Sequence, residues 1–131
     1  MTIRLTWETD RKNVLRQQYE GYWDLEDFYR IIDKTRKLLD GLAHPVHIII
    51  DATNSLRTPS NLLSAMRYVN DQVAPNQGEV IIVGADDELR TMLEIASRIA
   101  PDATGSGYYV DNLTDAYALL RRLIPNIHVP A

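Results

Sequence analysis

Residues 3–8 alternate apolar and polar, the period of a strand with one buried face. A polar, turn-like stretch over 9–13 follows, and residues 14–20 predict a second strand. So short a connector makes the pair antiparallel, because a parallel pair needs a long crossover. Gly21-Tyr22-Trp23 leads to Asp24, a good helix N-cap, with Glu26 and Asp27 suited to the first turn. Leu25, Phe28, Ile31, Ile32, Thr35, Leu38 and Leu39 mark one face of that helix, and Gly41 supplies its stop. Pro45 ends the loop, and residues 46–51, with three consecutive isoleucines, predict a buried central strand. Thr58 as N-cap and Pro59 at the first helical position predict the next helix start. Leu62, Leu63, Met66, Val69 and Val73 keep helical spacing before Pro75. Residues 79–84 read as another apolar strand. Asp86 caps a helix opened by Asp87 and Glu88, with Leu89, Met92, Leu93, Ala96 and Ile99 inward and a stop near Pro101. A short strand over 107–110 precedes Asn112 and Asp115, which resemble a capping box for the last helix. Its inward positions are Leu113, Ala116, Leu120 and Leu123, and Pro125 and Pro130 then mark a loose tail.

The predicted order is β-β-α-β-α-β-α-β-α. It implies an α/β domain with a mostly parallel sheet, an antiparallel N-terminal strand and four helices. The 131 residues suit a single domain over 1–124, followed by a tail over 125–131. Hydrophobic and charged fractions of 45% and 24% give enough apolar material for a core that needs no staples. There is no cysteine, which excludes disulfides, thiolate metal sites and a cysteine nucleophile. The first residues lack the long apolar run of a signal peptide, and no stretch approaches the roughly 20 apolar residues of a membrane helix. The expectation is a cytoplasmic protein with no membrane span. The net charge of −4 is spread among interspersed acids and bases. Nucleic acid is therefore not an expected partner, because phosphate binding needs a basic face. The basic clusters, Arg121-Arg122 and Lys34 with Arg36 and Lys37, sit near predicted helix ends, where the dipole favours cations.

Function is sought first in residues 47–60, because open α/β folds bind ligands and partners beyond the carboxyl ends of strands. Here the apolar strand ends on Asp51 and continues as Ala52-Thr53-Asn54-Ser55-Leu56-Arg57-Thr58-Pro59-Ser60. Three passages resemble the STAS fold of sulfate transporters and sporulation anti-sigma-factor antagonists. They are the strand-glycine-turn-helix passage over 19–24, the Asp-terminated strand over 48–53, and the last strand and closing helix over 109–123. In the antagonists the strand-ending Asp precedes an Asp-Ser-Ser/Thr-Gly-Leu-Gly motif, whose first serine a partner kinase phosphorylates. Aligned on Asp51, that serine falls on Ser60 and the motif's leucine on Leu63. Pro59 stands in place of the motif's Asp, and Leu62 and Ser64 in place of its glycines, so the switch motif is degenerate. The fold is also similar to CRAL-TRIO lipid-binding domains.

The resemblance implies a non-catalytic regulatory or protein-interaction module, with a kinase-like or anti-sigma-type protein partner. Ser60 is its phosphoacceptor candidate, with Ser55 and Thr58 as nearby substitutes. The expected partner-binding surface comprises Asp51, Thr53, Asn54, Ser55, Arg57, Thr58 and Asn61. A phosphate on Ser60 would face free N–H groups if that residue lay in a first helical turn, with Arg57 adding a charge-assisted contact. Asp51 alternatively bonds nearby N–H groups in a structural role.

Other candidates have ordinary readings. Asp86-Asp87-Glu88 is favoured at a helix start without any metal. His44, His47 and His128 lack further ligands at a zinc spacing. Gly105-Ser106-Gly107 precedes a strand and reads as a turn, since a phosphate-cradling loop opens a helix. No serine sits in a hydrolase motif. Among the aromatics near residue 20, Trp23 is the expected exposed anchor. Neither a cofactor, a metal nor catalysis is expected. Two readings stand beside the interaction module: a binder of a small, lipid-like molecule, and a self-associating scaffold. An apolar pocket of roughly 300 Å³ or more lined by Leu62, Leu63 and Met66 would favour the binder.

Overall fold

The computed structural model describes residues 2–104 and 107–130. Strand β1 (Ile3–Trp7) runs antiparallel to β2 (Val14–Tyr22). From β2 onward the strands are parallel: β3 (Val46–Arg57), β4 (Gln77–Val83) and β5 (Tyr108–Val110), in the spatial order β1-β2-β3-β4-β5. The crossovers are α1 (Leu25–Asp40), a 3₁₀ turn (Leu62–Ala65) running into α2 (Met66–Asp71), and α3 (Asp87–Ile99) with the single turn α4 (Pro101–Thr104). Helix α5 (Leu113–Leu123) closes the fold. The α/β class and the mostly parallel sheet with its antiparallel N-terminal strand are those the sequence predicts, and α4 is an added turn.

Consecutive parallel crossovers of one hand stack on one face of a sheet. Phe28 and Ile31 of α1, Leu62, Ala65 and Met66 of the second crossover, and Leu89 and Ala96 of α3 accordingly share one core. Helix α5 takes the opposite face, where Ala116 and Leu120 pack on Val14, Ile49, Ile81 and Val83. The isoleucines serve both layers: Ile48 and Ile50 face the α1 side, and Ile49 faces α5. Three predicted N-caps form: Asp24 accepts from Asp27 N at 2.8 Å, Asp86 from Leu89 N at 2.8 Å and Asn112 from Asp115 N at 2.9 Å. Only Asp24 and Asp27 complete a capping box.

Two expectations are corrected. Residues 52–57 are strand, because β2 continues to Tyr22 and pairs with them (Glu20↔Asn54, Gly21↔Ser55, Tyr22↔Arg57) through two register shifts. Thr58 and Pro59 therefore lie at a strand exit, and the helical path opens only at Leu62, with no side-chain cap from Asn61. Thr58 is buried, and Pro59 O accepts from Leu62 N at 3.1 Å to make a turn. A residue before proline is biased to extended backbone, so the local chemistry suits this exit. Second, the tail is docked: Ile127 and Val129 pack on the α5-side core, and Asn13 Nδ2 donates to His128 O at 3.0 Å. The predicted turn at Gly105-Ser106-Gly107 falls partly on residues 105 and 106, outside the described residues. No helix among the described residues is long and apolar enough to cross a membrane.

Gly84, after β4, has φ +68°, and a Cβ there would lie 2.7 Å from Thr53 Oγ1 and 2.9 Å from Thr53 Cα. Backbone cannot retreat as a flexible side chain does. Gly84→Ala is expected to cost about 2 kcal/mol or more, from left-handed strain and overpacking together. Urea unfolding measures it, and an unchanged midpoint would show that β4 does not end tightly against β3.

Candidate functional site

The last β3–β4 pair is Asp51↔Val83, while β3 runs on to Arg57 beside β2 alone. From Asn54 to Arg57 no strand lies on the β4 side among the described residues, so this ribbon presents an open sheet edge. Tyr22 pairs with Arg57, and Leu56 is the residue left over in the register shift just before that pair. These two side chains are the most exposed large hydrophobics described, at 68% and 67%. Ser55 is half-buried and accepts from Trp23 Nε1 at 2.8 Å, tying the ribbon to the core.

Of the predicted surface residues, Thr53, Asn54, Arg57 and Asn61 are exposed along this ribbon and the turn after it, and Ser60 is exposed between them. Asp51 and Thr58 are buried. Asp51 has the structural role of an acid bonded to the chain two residues on: its Oδ1 accepts from Thr53 N at 3.1 Å. Ser60 lies in a turn and not in a first helical turn, so the helix dipole gives it no phosphate seat. Trp23 is not an exposed anchor. At 6% exposure it packs edge-on to Tyr19 (centroids 4.9 Å apart) and against Phe28 (5.9 Å). Tyr22, its neighbour, takes the exposed position.

Asp51 also belongs to a polar cluster on the α5 face. Glu8 Oε1 lies 3.1 Å from Arg16 Nε, and Tyr117 of α5 donates its hydroxyl to Glu8 Oε2. The Glu8 side chain is almost fully buried, and neither Oε1 nor Arg16 Nε has an aligned hydrogen-bond partner. Burial raises the Glu8 carboxyl above its ordinary value, Arg16 opposes this and Asp51 adds to it. The cluster fastens α5 across the sheet.

On the other face, between the sheet and helices α1 and α2, there is an apolar cavity of about 90 Å³. Tyr19, Trp23, Phe28, Ala52, Leu62 and Met66 form part of its wall, and Leu63 does not reach it. The cavity is well short of a pocket for a lipid-like ligand. Its polar wall is a chain of three side chains: Tyr19 donates to Gln17 Oε1 (2.9 Å), and Gln17 Nε2 donates to Thr35 Oγ1 (3.1 Å).

His44 and His47 have structural partners. His47 is buried and its Nδ1 accepts from Glu79 N at 2.9 Å, and burial lowers its pKa. His44 Nε2 lies 2.9 Å from Lys12 O. No group of three metal-ligating side chains converges among the described residues. Sequence reasoning missed Tyr22, Leu56, the Gln17 chain and the Glu8 cluster. Gln17 and Glu8 carried a signal, as polar residues inside or at the end of strands whose neighbours pack a core.

Set against known proteins, the chain matches no protein-family model, and no curated protein matches it significantly in sequence.

Because the folded-state pKa of Glu8 is raised, this group's contribution to stability is complete below about pH 4.5 and is lost as pH rises through the folded value. Glu8→Gln, fixed in the neutral form, lacks that loss. The stability of the wild type relative to Glu8→Gln is expected to fall from pH 4.5 to 7 in urea titrations. A difference independent of pH would refute the assignment.

Proposed function

We propose that this protein is a non-catalytic interaction module whose protein partner docks on the β2–β3 ribbon. The observation that carries the reading is that Leu56, on the stretch of β3 with an open edge, and Tyr22, at the same register shift on β2, are the two most exposed large hydrophobics described. A single exposed leucine means little, because much of any protein surface is apolar. Two large apolar side chains at one register shift, beside unpaired backbone groups, favour strand addition by a partner. Main-chain bonds along Asn54 to Arg57 would supply affinity, and pockets for Tyr22 and Leu56 would supply selectivity. Arg57 and the uncharged Thr53 and Asn54 give the ribbon a mildly basic margin, which suits a partner strand carrying an acid.

The STAS-like topology supports placing the module among divergent relatives of anti-sigma-factor antagonists, acting in the cytoplasm on a kinase-like or anti-sigma-type regulator. Ser60 is the phosphoacceptor in that reading. It is exposed three residues beyond Arg57, so a phosphate there would change the charge beside the ribbon by almost two units.

The test is a photo-crosslinking amino acid at position 56 in the native host, with position 95 on α3 as control. A discrete crosslinked protein is expected at 56 and not at 95, and Tyr22→Ser in the chain that carries the crosslinker at 56 is expected to abolish it while leaving the unfolding free energy within about 0.5 kcal/mol of wild type. Equal labelling at both positions would sink the reading. Intact mass of the native protein, with and without Ser60→Ala, reports on the phosphate separately.

A further inference from the structure

Natural cores are packed as densely as organic crystals, and a void within one is an exception that calls for a cause. Two independent irregularities meet at the cavity between α1, α2 and the sheet. One is missing volume, about 90 Å³, beside the rigid aromatic wall of Tyr19, Trp23 and Phe28. The other is polarity. The α1-facing side of β1 to β3 is apolar at Ile3, Leu5, Leu15 and Ile48, yet it carries Gln17 at its centre, opposite Thr35. A leucine at position 17 would fill space and need no partner.

The polar chain is also incomplete. Tyr19 spends its proton on Gln17 Oε1, and Gln17 Nε2 spends one of its two on Thr35. Among the described residues no acceptor takes the second amide hydrogen of Gln17 or the hydroxyl hydrogen of Thr35. These donors stand 3.1 Å apart, close enough to share the two lone pairs of one carbonyl oxygen. Charge is excluded by what lies at the rim. Arg36, the cation in the lining, is already engaged by Asp40 and by the carbonyls of Gln72 and Val73. Nothing there is left to neutralise a carboxylate.

We infer that this cavity is a binding site for one small, uncharged carbonyl compound, held by Gln17 and Thr35 at its oxygen and by the aromatic wall at its hydrocarbon. Scaled from apolar protein cavities of ~150 Å³ that take benzene, the space of about 90 Å³ holds about four non-hydrogen atoms. That size excludes acyl chains. The site is separate from the β2–β3 ribbon and stands or falls apart from it.

The probes are acetone and 2-methylpropene, four non-hydrogen atoms each and differing by the carbonyl oxygen, titrated into the full chain and followed by amide NMR. Saturable shifts are expected at Gln17, Tyr19 and Thr35, with the ketone bound about threefold to tenfold more tightly than the hydrocarbon. Gln17→Leu and Thr35→Val are expected to erase that preference, Ala74→Leu to abolish both by filling the space, and Leu56→Ser to change nothing. Equal affinity of the two probes for the wild type overturns the inference without recourse to any variant. So does a preference that survives Gln17→Leu, or the absence of saturable binding, which would mark a void filled by water alone.

Discussion

The structure depends on the burial of β3 from both faces and its hydrogen bonding on both edges between Val46 and Asp51. Ile48 and Ile50 close the α1 side, Ile49 closes the α5 side, and β2 and β4 take the backbone groups. A strand sealed in this way must be apolar at consecutive positions, since neither set of alternate side chains meets water. It also fixes the register of its neighbours. A slip of one residue would exchange Ile49 with its flanking isoleucines and carry Asp51 from the Glu8 cluster into the aromatic core.

Both candidate sites arise where this regularity ends. β3 has 12 residues and β4 has 7, so the longer strand outruns its neighbour and keeps only β2 for company. The extension survives because Trp23 bonds Ser55 and because Gly84 allows the end of β4 to approach Thr53 closely. On the α1 face the second crossover contributes a 3₁₀ turn and a helix of 6 residues beside an α1 of 16. The shorter element leaves space between itself, α1 and the sheet, and Gln17 and Thr35 border it. The opposite face is sealed by contrast: α5 and residues 127 and 129 lie on it, and Tyr117 and Glu8 link helix to hairpin.

Much of the architecture was legible because local signals and global packing agreed. Asp24, Asp86 and Asn112 cap the helices that follow them, and the apolar stripes of α1, α3 and α5 face the cores except at Leu38 and Ile99, which the spacing placed inward and the structure leaves exposed at the stripe margins. At Thr58-Pro59 they disagreed. A Thr-Pro pair before a helically spaced apolar set reads locally as a cap. Pairing with residues 20–22, more than thirty positions earlier, instead drew the chain out to Arg57 and moved the helical path to Leu62. Ser60 lost its dipole seat for the same reason. The exchange of roles between Tyr22 and Trp23 has a similar origin: adjacent strand-end positions point to opposite sides, and only packing against Tyr19 and Phe28 decides which aromatic is inside.

Sequence alone determined the class of fold, the order of elements and which strand is central, because these follow from hydrophobic period, capping chemistry and connection length, all local along the chain. Tertiary structure alone decided how far β3 extends, that Asp51 is buried, that Tyr22 and Leu56 are bare, and that Gln17 bonds Thr35 beside a cavity. Each of those outcomes depends on contacts between residues distant in sequence, where the energy of a partner's approach outweighs the preference of any single segment.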